Sequence, residues 1–123
     1  MVLTGQDFDM NAGDDVNLEV HVQKEDETGA LVDEDLTDAD ITWVLKESAD
    51  SVTALVTKTN ADPTEIEVLD QVADKGKFVV YLQPADTALL APNKYFHGVV
   101  MVDVALEVHT VETGYLMLAP KVI

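Results

Sequence analysis

A strict two-residue alternation of apolar and polar side chains limits the fold of this chain more than any other feature. Over residues 16–23 the apolar members are Val16, Leu18, Val20 and Val22, and the polar members are Asn17, Glu19, His21 and Gln23. Successive strand residues point to opposite faces of a sheet, so this spacing buries one face and leaves the other in water. The period recurs along the whole chain. It predicts a β protein rather than a helical one.

Turn-forming residues divide the rest of the sequence into further short strands. The predicted strands cover residues 41–46, 52–59, 65–69, 77–82, 94–104 and 106–118. Strand 52–59 is expected at a sheet edge, because Asn60-Ala61-Asp62-Pro63 closes it. Gly76 suits a turn position with positive φ between strands 65–69 and 77–82, which are expected to form a hairpin. Residues 84–90 begin with Pro and form one short helical turn, with Leu89 and Leu90 sealing the end of the sandwich.

About seven strands in 123 residues predict an all-β, antiparallel β-sandwich in a single domain, 1–123. A small closed barrel is the alternative, since alternation alone does not decide whether a sheet closes. Residues 1–12, with Leu3, Phe8 and Met10, are expected to form an N-terminal arm or the first strand.

The charge balance excludes several classes of partner. The chain has 24 acidic residues against seven lysines, for a net charge of −17, and it contains no cysteine. Nucleic-acid binding needs clustered basic residues, and anionic membranes repel a chain of this sign. No apolar run is long enough to span a membrane, and the start lacks the pattern of a signal peptide. We therefore expect neither nucleic acid nor membrane as a partner.

Three short motifs resemble one family of proteins. They are Val32-Asp33-Glu34-Asp35-Leu36-Thr37-Asp38-Ala39 before Ile41-Thr42-Trp43, then Leu82-Gln83-Pro84-Ala85-Asp86-Thr87-Ala88-Leu89-Leu90-Ala91-Pro92-Asn93-Lys94-Tyr95, and Thr110-Val111-Glu112-Thr113-Gly114-Tyr115-Leu116. Over residues 14–120 the chain resembles immunoglobulin-like domains of tailed phages and prophages, and is similar to the N-terminal domain of the baseplate upper protein.

The resemblance implies an immunoglobulin-like β-sandwich and a place in a virion. Asp38 and Asn93 stand where the family has Gly, and both residue types tolerate the left-handed region better than most. Tyr95, at the start of the sixth strand, resembles the tyrosine corner, in which a hydroxyl donates to nearby backbone.

Catalytic residue sets are absent from the sequence, so we predict no enzyme and no cofactor. His21, His97 and His109 lack metalloprotease spacing, and Ser48 and Ser51 lack a nucleophile motif. The acidic segment 24–40 is predicted to be a solvated loop. Four of its carboxylates form a weak Ca²⁺ candidate, although the EF-hand pattern is incomplete. They are Asp33, Asp35, Asp38 and Asp40.

A second set of apolar residues has the phase opposite to the core. Its members are Val44, Phe96, Val100, Val102, Tyr115 and Met117. If their strands share a sheet, its outer face is apolar and needs cover, which is typical of a binding surface. We predict a protein interface there. The alternative is that the N-terminal arm folds over it.

The resemblance implies a non-enzymatic virion structural protein of a tailed phage, located in the tail or baseplate or decorating the head or neck, and the apolar outer face fits such an assembly role. The protein's partners would be other virion proteins, including further copies of itself as a homo-oligomer in a symmetric assembly. The alternative is an immunoglobulin-like adhesin that binds a host surface glycan or protein through its loops. Against that, Trp43, Tyr81, Tyr95 and Tyr115 all fall on predicted strands.

Overall fold

The computed structural model describes residues 2–4 and 7–122. The elements, in chain order, are β1 (Val2–Thr4), β2 (Phe8–Asn11), β3 (Val16–His21), β4 (Gln23–Glu25), β5 (Leu31–Asp33), β6 (Asp40–Lys46), β7 (Val56–Thr59), β8 (Ile66–Val68), β9 (Lys77–Leu82), α1 (Pro84–Thr87), β10 (Asn93–Val102) and β11 (Val108–Ala119). The predicted strands are confirmed, although β7 starts four residues later than expected and the helical turn ends at Thr87.

The strands form two packed sheets and one separate hairpin. One sheet has the order β1-β3-β9-β8, the other has β2-β11-β10-β6-β7, and β4 pairs with β5. Immunoglobulin domains place strands A, B, E and D in one sheet and G, F and C in the other. Here β1, β3, β9 and β8 correspond to the first group, and β11, β10 and β6 to the second. The immunoglobulin-like sandwich is therefore confirmed, and two separate sheets exclude the barrel alternative.

The N-terminal segment contributes to both sheets. β1 runs parallel to β3, and β2 runs parallel to β11, so these two pairs depart from the otherwise antiparallel pairing of the sandwich. Phe8 and Met10 lie in the core. This segment is thus the first strand, divided between the sheets, and Phe8 and Met10 do not cover the outer face. The side chain of Leu3 lies outside the described residues.

The core lies between the two sheets and includes one buried polar pair. Trp43 on β6 and Phe78 on β9 are its largest fully buried side chains. His97 on β10 is also fully buried, and its ring lies 5.1 Å from that of Phe8, centroid to centroid, in an edge-to-face arrangement. The imidazole therefore packs as an aromatic core side chain while keeping polar atoms available for hydrogen bonding.

The segment between β9 and β10 holds the tyrosine corner. The Tyr95 hydroxyl donates to the Ala91 carbonyl oxygen at 2.5 Å, which confirms the predicted role, and burial raises the pKa of Tyr95. The Gln83 N–H donates to Asp86 Oδ2 at 2.7 Å at the start of α1. Leu90 packs against the core, but Leu89 is 97% exposed. The expectation that Leu89 seals the sandwich is therefore wrong, because the helical turn directs it outward.

The acidic segment is more ordered than a solvated loop. β4 and β5 form a hairpin around Gly29, which has a φ of 84°. Leu36 is buried, and its N–H donates to Gln71 Oε1 at 3.0 Å. The same oxygen accepts from Gly76 N–H, where φ is 82°. Residues 34–39 are therefore fastened to the β8–β9 turn, which the sequence pattern did not indicate.

The two positions where the family carries Gly behave differently. Asp38 has a φ of 60°, as its replacement of Gly predicts. Asn93 has no positive φ and begins β10 as an extended residue, so that turn does not need the left-handed region.

Candidate protein-interaction face

The structure brings all six residues of the predicted interface onto one outer face. Residues that pair across antiparallel strands point to the same side of a sheet. Phe96 on β10 lies opposite Tyr115 on β11 and Lys46 on β6. The remaining members, Val44, Val100, Val102 and Met117, occupy the same phase of β6, β10 and β11. We call this surface the five-strand face. Its role in binding stays a prediction.

The five-strand face exposes ordered apolar side chains. Val100 is 36% exposed, Tyr115 40% and Met117 43%, while Val44, Phe96 and Val102 are half-buried. The rings of Phe96 and Tyr115 meet edge to face at 6.0 Å, and Lys94 Nζ lies 4.3 Å above the Tyr115 ring. Such contacts reduce the side-chain entropy that remains to be lost when a partner binds.

Few carboxylates point outward from the three central strands of this face. Among the outward positions described on β6, β10 and β11, Asp40 is the one carboxylate, and it lies at an end, opposite Val102. Lys46 and Lys94 lie at the other end. By contrast, the outer face of the four-stranded sheet carries Glu19, His21, Glu67 and Lys77. The three central strands are thus apolar and poor in carboxylates, whereas Asp9 on the edge strand β2 pairs with Met117 and Asp7 accepts from the Tyr115 N–H.

The turn between β10 and β11 is an exposed apolar tip that sequence reasoning missed. Leu106 is 81% exposed and has a φ of 63°, while Val104 and Val108 beside it are also exposed. Asp103 Oδ1 accepts from the N–H groups of Ala105 and Glu107, which holds the turn. A bulky residue at positive φ is a genuine outlier. The alternating apolar residues Val104, Leu106 and Val108 could have indicated this tip, but the same alternation is equally typical of a strand that continues.

Carboxylates of the acidic segment 24–40 form hydrogen bonds with nearby residues and do not converge on one point. Asp33 Oδ1 lies 2.6 Å from His21 Nε2, and Asp35 Oδ1 accepts from the N–H and hydroxyl of Thr37. The hydrogen bond from His21 lowers the pKa of Asp33, and the bond from the Thr37 hydroxyl lowers that of Asp35. Asp40 begins β6.

Another group has a geometry closer to that of a metal site. Within the described part of the chain, the one group of three ligand atoms all within 4.8 Å of one another belongs to Asp103, Glu107 and His109. It includes none of the four aspartates proposed for Ca²⁺. Asp103 Oδ2 contacts His109 Nε2 at 3.0 Å, and the backbone N–H of Glu107 is the main cause that lowers the pKa of Asp103.

The remaining sequence candidates do not form a site. His97 lies in the core, whereas His21 and His109 are exposed on different elements. Ser48 and Ser51 contact each other through their hydroxyl oxygens at 3.1 Å in an exposed turn.

Comparison of the chain with protein-family models finds no matching family, and comparison with curated proteins finds no match. In the described residues no helix is long and apolar enough to span a membrane, since α1 has four residues. The functional interpretation therefore depends on the five-strand face and on the motifs.

Proposed function

We propose that this protein is a non-enzymatic structural subunit of a tailed-phage virion, in the tail or baseplate or on the head or neck. It acts by docking the five-strand face on neighbouring virion proteins. The observation that carries the proposal is the apolar surface of six side chains on three adjacent strands of a chain with a net charge of −17.

Two effects would stabilise such docking: the burial of apolar surface and the repetition of the contact in a symmetric particle. Apolar surface contributes about 25 cal/mol for each Å² removed from water, and carboxylates at the same surface would oppose that gain. A symmetric particle repeats each contact, so weak single contacts become persistent through high effective concentration. The net negative charge would keep unassembled copies apart in solution.

The virion assignment is supported by the family motifs rather than by chemistry. The segment around Pro84 forms the helical turn and leads into the corner at Tyr95, as expected of an immunoglobulin-like domain of that family. Fold alone does not determine function, so the test must address the particle itself.

The experiment compares two outward valine substitutions in particles produced by the strain that encodes the chain. Val100→Lys places a charge on the five-strand face, and Val79→Lys places the same charge on the outer face of the other sheet. Particles purified by density gradient are analysed by mass spectrometry for peptides of this chain. We expect the wild type and Val79→Lys to be incorporated and Val100→Lys to be lost. Particles that lack the wild-type chain would contradict the proposal.

The exposed tip favours a second candidate, an adhesin module that binds a host surface protein. Leu106 keeps an unfavourable backbone conformation while exposing its side chain, a combination that often marks a functional position. The glycan version has less support, because every aromatic residue lies on a strand. Saturable binding of the protein to host cells, lost on Leu106→Ser and kept on Val100→Lys, would favour this candidate.

A further inference from the structure

We infer that Asp103, Glu107 and His109 bind a divalent transition metal ion of the Zn²⁺ type at the end of the β10–β11 hairpin. The three side chains come from one turn and the start of β11, and their ligand atoms all lie within 4.8 Å of one another. The inference does not depend on the virion role, because it concerns this turn and no side chain of the five-strand face.

The distances between the ligand atoms fit a tetrahedral ion. His109 Nε2 lies 3.0 Å from Asp103 Oδ2 and 3.7 Å from Glu107 Oε2. Zinc bonds of about 2.0–2.2 Å at the tetrahedral angle separate neighbouring ligand atoms by roughly 3.3–3.6 Å. The two measured distances lie on either side of this range, so an ion among the three atoms requires only small side-chain movements. Three protein ligands leave the fourth position to water, as in open zinc sites.

The donor chemistry selects the kind of ion. Imidazole nitrogen suits Zn²⁺, Cu²⁺ and Ni²⁺, whereas Ca²⁺ and Mg²⁺ prefer sets of oxygen ligands. The carboxylates of Asp103 and Glu107 carry two negative charges, which a divalent ion neutralises. A chain with a net charge of −17 attracts every cation, so charge alone gives no selectivity. The imidazole of His109 is therefore what distinguishes this group from the other carboxylates of the surface.

A β-bulge aims the imidazole at the other two ligands. The pairing of β10 with β11 shifts by one residue between Val99 and Val100, and beyond the shift His109 pairs with Met101. Met101 is buried, and residues paired across antiparallel strands point to the same side, so His109 points to the inner side of the sheet. Without the shift, Thr110 would take this place and His109 would point outward. Bulges re-aim side chains in this way beside functional sites.

The backbone of the turn orients the Asp103 carboxylate. Asp103 Oδ1 accepts from the N–H groups of Ala105 and Glu107 at 2.9 and 3.0 Å, which leaves Oδ2 to face His109. Hydrogen bonds of this kind orient metal ligands and fix them before the ion arrives. The carboxylate therefore loses little conformational freedom when it binds a metal ion.

A second exposed histidine–aspartate pair provides a matched comparison. His21 Nε2 lies 2.6 Å from Asp33 Oδ1, and both side chains are exposed to a similar degree as that of His109. In the described part of the chain this pair belongs to no group of three ligand atoms. If an imidazole beside one carboxylate were sufficient, both pairs would bind the ion equally. The third ligand, Glu107, is thus the feature that the experiments must test.

The first experiment measures Zn²⁺ binding by isothermal titration calorimetry at about pH 7.5, where an ordinary imidazole is neutral. The protein is first treated with a chelator, and excess Mg²⁺ occupies non-specific carboxylates. We expect one Zn²⁺ per chain, a Kd raised at least tenfold by His109→Gln and by Glu107→Gln, and a Kd within about twofold of wild type for His21→Gln. Circular dichroism melting confirms that the variants fold. Absence of Zn²⁺ binding by the wild type, or an equal effect of the two histidine substitutions, would overturn the inference.

The second experiment identifies the ligand atoms by NMR of the imidazole nitrogens. We expect one equivalent of Zn²⁺ to shift the resonances of His109 and to leave those of His21 unchanged. Zn²⁺ should also raise the melting temperature of the wild type, because it binds the folded turn, and should not raise that of Glu107→Gln. Resonances of His21 that shift as much as those of His109 would show non-specific binding to an acidic surface and would overturn the inference.

Discussion

The Trp43 indole donates its Nε1–H to Nδ1 of His97 at 3.3 Å in the centre of the sandwich, with both side chains fully buried. His97 follows the corner residue Tyr95 by two positions. In antibody domains this place on strand F holds the second cysteine of the disulfide that packs on the buried Trp of strand C. In this cysteine-free chain that position holds a histidine, which hydrogen-bonds Trp43 within one sheet and does not link the two sheets covalently.

Removing the acceptor of this pair should destabilise the protein. His97→Leu keeps an apolar side chain of similar size but leaves the Trp43 N–H without the imidazole acceptor. We expect a loss of about 1–3 kcal/mol in the free energy of unfolding, measured by urea denaturation and followed by circular dichroism, which works equally in a variant without Trp. In a Trp43→Phe background the same substitution should cost less. Equal losses in both backgrounds would show that the hydrogen bond contributes nothing.

The tyrosine corner gives a second stability prediction. Tyr95→Phe removes the buried hydroxyl that donates to the Ala91 carbonyl oxygen, and we expect a loss of about 1 kcal/mol or more. Tyr81→Phe is the matched control, because the Tyr81 hydroxyl donates to the exposed carboxylate of Glu67. Its loss should be smaller, since water can replace that bond. An unchanged melting temperature for Tyr95→Phe would reject the corner role.

The amino-acid sequence predicted the strands and the core-facing sides correctly, but it predicted neither the exposed tip between β10 and β11 nor the ion pairs. Alternation fixes which side of each strand faces the core, so both the strands and the six residues of the five-strand face followed from sequence. The direction of Leu89 did not follow, because it depends on how a four-residue helix ends. Nor did the positive φ of Leu106, since nothing in its residue type favours that conformation.

Lys58 shows another limit of pattern reading. It occupies an inward position of β7 at 7% exposure, where alternation predicts an apolar residue. Its stem packs at the edge of the core while its ammonium reaches a carboxylate on α1. Only the tertiary approach of α1 to β7 makes a charged residue acceptable there.

This ion pair should respond asymmetrically to the loss of either partner. Lys58 Nζ lies 2.8 Å from Asp86 Oδ2. Asp86→Asn keeps an oxygen that can accept from the Gln83 N–H but leaves the buried ammonium without a carboxylate, and we expect a loss of about 3 kcal/mol in stability. Lys58→Met replaces the charge with an apolar side chain of similar length and should cost less than about 1 kcal/mol. Equal losses in thermal denaturation would show that the ammonium is adequately solvated without Asp86.

The conformation of Leu106 predicts a stabilising substitution. A leucine side chain at φ 63° destabilises the folded state by about 1–2 kcal/mol, and Leu106→Gly removes this strain. Glycine also has greater conformational entropy in the unfolded state, which offsets part of the gain. We expect a net gain of about 0.5–1 kcal/mol in the free energy of unfolding. Asp38→Gly, at φ 60°, is the control and should gain less, because Asp tolerates this region. A loss of stability in Leu106→Gly would mean that the exposed leucine makes a stabilising contact within the chain.

Two surface turns should make stability fall in acid. Hydrogen bonds from the hydroxyls of Thr37 and Thr64 lower the pKa values of Asp35 and Asp62. A lowered folded pKa stabilises the protein above the unfolded value of about 3.9, and that stabilisation disappears as the pH falls through the folded pKa. The double variant Asp35→Asn/Asp62→Asn keeps acceptor oxygens that do not titrate, so its melting temperature should fall less steeply than that of wild type between about pH 4 and pH 2. Asp50→Asn, which removes an exposed carboxylate in another turn, should leave the wild-type slope unchanged. Parallel slopes for the double variant and the wild type would contradict the role of these two aspartates, because the remaining acid sensitivity would then come from other carboxylates.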